Sequence, residues 1–347
     1  MCAINGQDMG STSIDMSYPA GVPQPVGLGV QVPMQNPHFN QNRLVWDDAY
    51  SGEYDPPKYD QQFELQWHIA LKGNPNYFNN PGTSTEDAYI QDRVYEWTGQ
   101  HPMGQNRFSD PTMGSYVMDH PVDPALIVDK KCIDVGCGMG RWTRTMQMIG
   151  AAEVLSVDIS ESAIASTRKF NPNVLNANIL KLPEEYPQLV GQFDFANLWG
   201  VAMCTHDPKA AFASAAAMVA PGGALYLMVY APDGIHDRPL TNTQRRRFHQ
   251  LQSVEERLAW VDKVHDRAWD SHYAVKDNLL NLSRNLRGLP KGNKMGVLDM
   301  LEPFYNWVVP LSVIEGWMSE NGFTEVTVPN PHQGNKAAHH VLGRKAG

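Results

Sequence analysis

Between residues 126 and 231, short apolar runs alternate with stretches whose apolar positions recur at helical spacing. The pattern predicts strands at 131–136, 154–159, 174–179, 193–199 and 224–231. It predicts helices at 140–149, 161–170 and 208–219, with a short element near 183–190. Strands separated by helices imply a parallel, doubly wound sheet, and such sheets bind ligands beyond the carboxyl ends of their strands.

The pattern changes on both sides of this region. Residues 1–45 are rich in Pro, Gly, Gln, Asn and Met and read as a flexible arm. Over 46–125 two helical stretches are expected. One carries Phe63, Trp67, Ile69 and Leu71; the other starts at Thr85 and carries Tyr89, Ile90, Val94 and Trp97. Their aromatic stripe suits either core packing or a lid over a cleft. Residues 232–310 read as a charged helical insertion containing Arg245-Arg246-Arg247 and a loop at Leu289-Pro290-Lys291-Gly292. That arginine run is either a solvated helix face or a contact for an acidic substrate. Residues 311–347 read as an amphipathic helix around Val313, Ile314, Trp317 and Met318, then strands at 323–328 and 339–342 that close an antiparallel hairpin.

Composition narrows the function classes. A net charge of −9 argues against broad electrostatic binding to nucleic acid or an anionic membrane. The most apolar window, Ala210 to Ala231, is divided by Pro221-Gly222-Gly223 and is too broken to span a bilayer. The polar first residues lack a signal-peptide pattern, so a cytoplasmic protein is expected. Cys2, Cys132, Cys137 and Cys204 lack Cys-x-x-Cys spacing and read as reduced cysteines. His332, His339 and His340 have no companions at metal spacing, so no metal is expected.

The candidate chemistry begins at the first strand. Asp134-Val135-Gly136-Cys137-Gly138-Met139-Gly140 turns a strand into a helix, and Asp158 ends the second strand. Glycines allow backbone N–H groups close to a ligand, and the acid can accept from ribose hydroxyls. Arg141 stands where a dinucleotide fingerprint has its third glycine, which weighs against NAD or FAD.

These residues, with Val157-Asp158-Ile159-Ser160, Asn178 to Pro183, Gly200-Val201 through His206-Asp207-Pro208, and Pro221-Gly222-Gly223, resemble class I S-adenosylmethionine (SAM)-dependent methyltransferases. The small-molecule type found in ubiquinone and menaquinone biosynthesis is the nearest pattern. The resemblance implies an α/β, Rossmann-like, doubly wound seven-stranded sheet with an antiparallel last strand, a helical N-terminal cap and a helical substrate-cap insertion after strand 5. It implies SAM as cofactor and S-adenosylhomocysteine (SAH) as product. Gly136, Cys137, Gly138 and Gly140 would line the methionine moiety. Asp134 would orient its amino group or cap the glycine turn, and Arg141 would meet its carboxylate or face solvent. Asp158 would hold the ribose diol or cap the next helix, and Ile159 would pack on adenine. Asn178, where the family usually has Asp, and Ile179 would meet the adenine edge. Leu198 and Trp199 would flank the methyl donor.

A methyl acceptor that is a small molecule is the expected partner, with no nucleic acid or membrane involved and self-association left open. The fourth strand ends Asn197-Leu198-Trp199-Gly200 and lacks the Pro-Pro-aromatic pattern of nucleobase-amine methyltransferases. Trp67, Trp199, Tyr230, Tyr305 and Trp307 are candidates for an acceptor wall, with plain packing as the alternative. His206 and His236 are the candidate bases, needed only if the acceptor must lose a proton. A non-catalytic SAM-binding protein, or an NAD-dependent oxidoreductase on a similar sheet, is the rival reading.

Overall fold

The computed structural model describes residues 63–72, 87–99, 122–232, 239–274, 294–328 and 338–347. The expected arm at 1–45, His236, the Leu289-to-Gly292 loop and His332 lie outside these residues. Seven strands form one sheet: β1 (Lys131–Val135), β2 (Glu153–Asp158), β3 (Val174–Asn176), β4 (Phe193–Trp199), β5 (Val219–Tyr230), β6 (Phe323–Thr327) and β7 (Ala338–Lys345). Their spatial order is β3-β2-β1-β4-β5-β7-β6. The first five pair in parallel, and β7 runs antiparallel to both β5 and β6. The order reverses between β1 and β4, which opens a crevice at their carboxyl ends.

Three strands depart from the expected bounds: β7 is longer because it pairs along both β5 and β6 as far as Lys345, and β3 and β5 differ for local reasons. β3 stops at Asn176 because the Asn178 side chain caps a 3-10 turn at Ile179–Lys181, Oδ1 accepting from Leu180 N at 3.0 Å. β5 runs back through Pro221-Gly222-Gly223 to Val219, with an irregularity in its pairing to β4. Gly223 is required there, since a Cβ would sit 2.8 Å from the Asp194 carbonyl oxygen.

Strand alternation feeds two cores. On β5, Leu225, Leu227 and Val229 join the larger core with α6 (Pro208–Met218) and a C-terminal helix at Leu311–Glu320. Ala224 and Tyr226 face the opposite layer, where α2 (Asp87–Thr98) and α3 (Arg141–Ile149) pack together. Trp97 of α2 stacks on Trp142 at 4.5 Å and meets Tyr226 edge-on at 5.4 Å. The aromatic stripe expected over the N-terminal segment therefore divides. α2 is core, whereas α1 (Glu64–Lys72) goes elsewhere.

α1 joins α7 (Pro239–Gln250), α8 (Val254–Ala274) and α9 (Lys294–Leu301) in a separate apolar cluster. Leu65, Ile69, Phe248, Val261, Met295, Leu298 and Leu301 fill it, and Trp67 and Met139 pack on its edge. This cap lies on the glycine turn through Met139 and on α4 (Glu161–Thr167) through α1. No described helix is long and apolar enough to cross a membrane.

Candidate functional site

The glycine turn is folded by its own neighbours. Gly136 N and Cys137 N both donate to the Val157 carbonyl, at 2.7 and 2.9 Å. Gly138 N donates to Asp158 Oδ2 at 2.8 Å, and Gly140 N donates to Cys137 O at 2.9 Å. The N–H groups expected to face a ligand thus first tie the turn to β2. Gly138 has φ of +54°, and a Cβ there would lie 2.8 Å from the Trp67 ring. Glycine is needed at that position for backbone conformation and for the seating of α1. Burial pushes the Cys137 thiol well above its ordinary range, and its contact with the Thr167 hydroxyl opposes the rise.

Asp134 is 1% exposed and accepts from Thr143 Oγ1 at 2.7 Å and Asn197 Nδ2 at 2.8 Å. It binds β1 to α3 and β4 rather than capping the turn. Burial raises its pKa, and those two bonds oppose the rise. Asp158 accepts from Gly138 N through one oxygen and from Ser160 N, at 2.9 Å, through the other. Burial pushes it up to about 6, with the Gly138 and Ser160 bonds opposing and Glu64 adding to the rise. Ser160 is the cap of α4, accepting from Ala163 N at 3.1 Å. Each Asp158 oxygen retains acceptor capacity for a diol.

At the end of β4, the Arg141 guanidinium lies 4.7 Å over Trp199 and 5.0 Å over Trp142. Arg141 is therefore turned into the cleft, not out to solvent. Among the described residues, buried Trp199 Nε1 and Asn197 Oδ1 have no hydrogen-bond partner. They stand two residues apart and share a strand face. An orphaned donor beside a cation fits the carboxylate of the SAM methionine end, and an orphaned acceptor fits its ammonium. Leu198 points the other way and is fully buried in the larger core, so only its backbone can reach the cleft. Ile159 is half-buried on the edge of that core, and the Ile179 carbonyl accepts from Ser214 Oγ.

The candidate acceptor residues separate. Trp67, on α1, covers Gly138, and Tyr230 ends β5 with 8% exposure, its phenol raised by burial. Tyr305 and Trp307 are core: they stack 6.1 Å apart, and Trp307 Nε1 donates to Thr205 O at 3.0 Å. His206 lies 6.3 Å from Tyr305, ring to ring. Of the arginine run, Arg247 is exposed, but Arg245 is buried and donates to Met300 O at 3.1 Å. A wholly solvated face is thus ruled out. Among the described residues no cluster of His, Cys, Asp or Glu could hold a metal.

Four polar residues of the cap escaped the sequence reading. Glu64 accepts from Ser160 Oγ at 2.6 Å and from Ser162 Oγ, joining α1 to α4. Glu302 accepts from Leu65 N and Gln66 N, both at 3.0 Å, and so fixes the first turn of α1. Gln66 Nε2 donates to Asp299 Oδ1 at 3.1 Å. The available signal was an acid among the apolar residues of Val297-Leu298-Asp299-Met300-Leu301, which burial makes costly without a purpose.

Strand order, glycine turn and terminal acid make an α/β domain with a cleft suited to a nucleoside, and the comparisons say what it is similar to. Residues 114–270 match a family model described as methyltransferase domain. Over those residues the chain is similar to methyltransferase domains. An uncharacterized protein of Synechococcus sp. is 31% identical over 30% of this chain and 26% of its own length. A ribosomal protein L11 methyltransferase of Hahella chejuensis is 24% identical over 47% of this chain and 56% of its own. The chain thus spans between about a quarter and just over half of these relatives. Among solved structures, a SAM-dependent methyltransferase from Thermotoga maritima is 16% identical, with a TM-score of 0.37. That alignment covers 73% of this chain and 99% of the other.

Proposed function

We propose that the protein transfers a methyl group from SAM to a small-molecule acceptor held between the β4 and β5 ends and the helical cap. The observation that carries this reading is Arg141 stacked on Trp199 beside two orphaned polar atoms, with Asp158 across the glycine turn. Asp158 would hold the ribose diol; Arg141, Trp199 Nε1 and Asn197 Oδ1 would hold the charged methionine end. When bound, SAM supplies a methyl already electrophilic on its sulfonium. The chain's task is then alignment and exclusion of water, and orientation alone is worth roughly 7–11 kcal/mol.

The cap supports an enclosed acceptor. α1 covers the turn with Trp67 and is itself held in an apolar cluster with α7–α9. A second reading, a protein acceptor, is favoured by the L11 methyltransferase relative. One experiment separates the two. Purified protein is incubated with methyl-labelled SAM and a cell extract fractionated into metabolites, protein and RNA. Label in the metabolite fraction supports this proposal; label confined to protein or RNA overturns the small-molecule acceptor. Absence of label everywhere, with SAH bound, favours a non-catalytic SAM-binding protein.

A further inference from the structure

We propose that Asp299 is the group that takes the acceptor's proton, and that Gln66 is the positioning residue that aims it. This rests on the methyltransferase reading above and adds a chemical class to the acceptor: one whose nucleophile carries a dissociable O–H or N–H.

Asp299 lies on α9, where Lys294 is the one other charged residue and Met295, Leu298 and Leu301 are fully buried in the cap. A carboxylate there is costly unless it is hydrogen-bonded or used. Its Oδ1 accepts from Gln66 Nε2 at 3.1 Å, and among the described residues its Oδ2 accepts no hydrogen bond. The residue is only partly buried, so that second oxygen is reachable.

The surroundings place Asp299 toward the chemistry. Its charge acts on Tyr230, at the end of β5, and on Cys204, just beyond β4. Arg141, from the first turn of α3, acts on Asp299 in return. Arg245 of α7 acts on Tyr230 and Cys204 in the opposite sense. Asp299 therefore shares a neighbourhood with the residues beside the methionine end of the cofactor site. Burial also raises its pKa, with the Gln66 bond and Arg141 opposing, which suits a proton acceptor. His206, in contrast, stands beside fully buried Tyr305.

The step balances as follows. The acceptor's O or N lone pair bonds to the methyl carbon, and the carbon–sulfur bond breaks with its electron pair staying on sulfur. The acceptor's proton moves to Asp299 Oδ2 and is later released to water. Gln66 links this step to α1, because the helix that covers Gly138 through Trp67 also fixes the carboxylate.

The test has two arms. In the first, protein labelled with carboxyl-13C aspartate is titrated by NMR, the Asp299 signal being the one absent from Asp299→Asn. It should titrate above the ordinary aspartate range and move higher still in Gln66→Leu, which lacks the donor. An ordinary titration, or one that Gln66→Leu leaves in place, overturns the proposal whether or not the protein proves to be a methyltransferase. In the second arm, methyl transfer into the extract fraction that the wild type labels is followed against pH. Asp299→Asn should lose about a hundredfold in rate, along with the acidic limb of the profile. SAH should still stabilise it, as a check that it is folded. Gln66→Leu should keep the limb but shift it to higher pH. If Asp299→Asn retains rate and limb, or His206→Ala removes the limb instead, the proposal is wrong. If the wild type labels nothing, the methyltransferase reading fails first.

Discussion

The sheet and the cap treat buried polar groups differently. In the sheet, Asp134, Thr143, Ser156, Asn171 and Asn197 form one network around β1, with Thr143 Oγ1 2.7 Å from Ser156 Oγ and Asn171 Nδ2 donating to Ser156 at 2.9 Å. Asp134 is its only ionisable member, and it takes two donors. In the cap, Glu64, Arg245, His249 and Glu302 are all ionisable and at most 8% exposed. Glu64 and Glu302 join segments remote in sequence: α1 to α4, and α9's end to α1. In the sheet the neutral groups bond one another and Asp134 and make a rigid frame, with Asn197 Oδ1 left over at its cleft end. Buried charge in a small helical cluster adds little stability and suits a part of the molecule that must recognise something or move. In the function proposed above, the frame would hold the cofactor and the cap would select what is methylated.

The comparison breaks most visibly at Glu302. Glu302→Leu strips the acceptor from two backbone N–H groups of α1 and should loosen the cap by about 3 kcal/mol. Hydrogen exchange should accelerate across residues 64–72 and stay slow in β1. Equal acceleration in both would mean that frame and cap are one unit. Gly138→Ala should follow, at about 2 kcal/mol, because it adds left-handed strain to overlap with Trp67. A denaturant midpoint measures it, and an unchanged midpoint would show that α1 is not seated on the turn.

Asp158→Asn should weaken SAH by about 2 kcal/mol, or roughly thirtyfold, in a calorimetric titration. The pH dependence sharpens this. Burial raises Asp158 to about 6, above its unfolded value. Its contribution to folding stability is therefore complete below the unfolded value near ~4 and is lost as pH rises through the folded one. Cofactor binding has the opposite sign, since ribose hydroxyls need the ionised acceptor. SAH should weaken about tenfold per unit as pH falls below the Asp158 value, and Asp158→Asn should flatten that slope. The smallest effect belongs to Arg247→Ala, within about 0.5 kcal/mol, because that side chain is exposed.

The same contrast explains what the sequence made legible. Short apolar strands buried on both faces and a glycine turn leave a local signature, so the order β1-α3-β2-α4-β3 and the positions of Asp134, Asp158 and Trp199 could be read directly. β5 was harder, because Pro221-Gly222-Gly223 looks like a break and is instead an irregularity inside a continuing strand. The cap left no such signature. Its partners meet across long stretches of chain, so nothing singled out Glu302 and Asp299 until α1 was placed on them. Tyr305 and Trp307 misled in the opposite sense. Aromatic residues suggest a pocket wall, yet these two bury completely behind β5.

The most direct test of the cofactor site is thermal unfolding with and without SAH. At a concentration about 100 times its dissociation constant, SAH should stabilise the wild-type fold by about 2.7 kcal/mol. No stabilisation of the wild type would contradict the assignment of the cleft between Arg141 and Asp158 to the methyl donor.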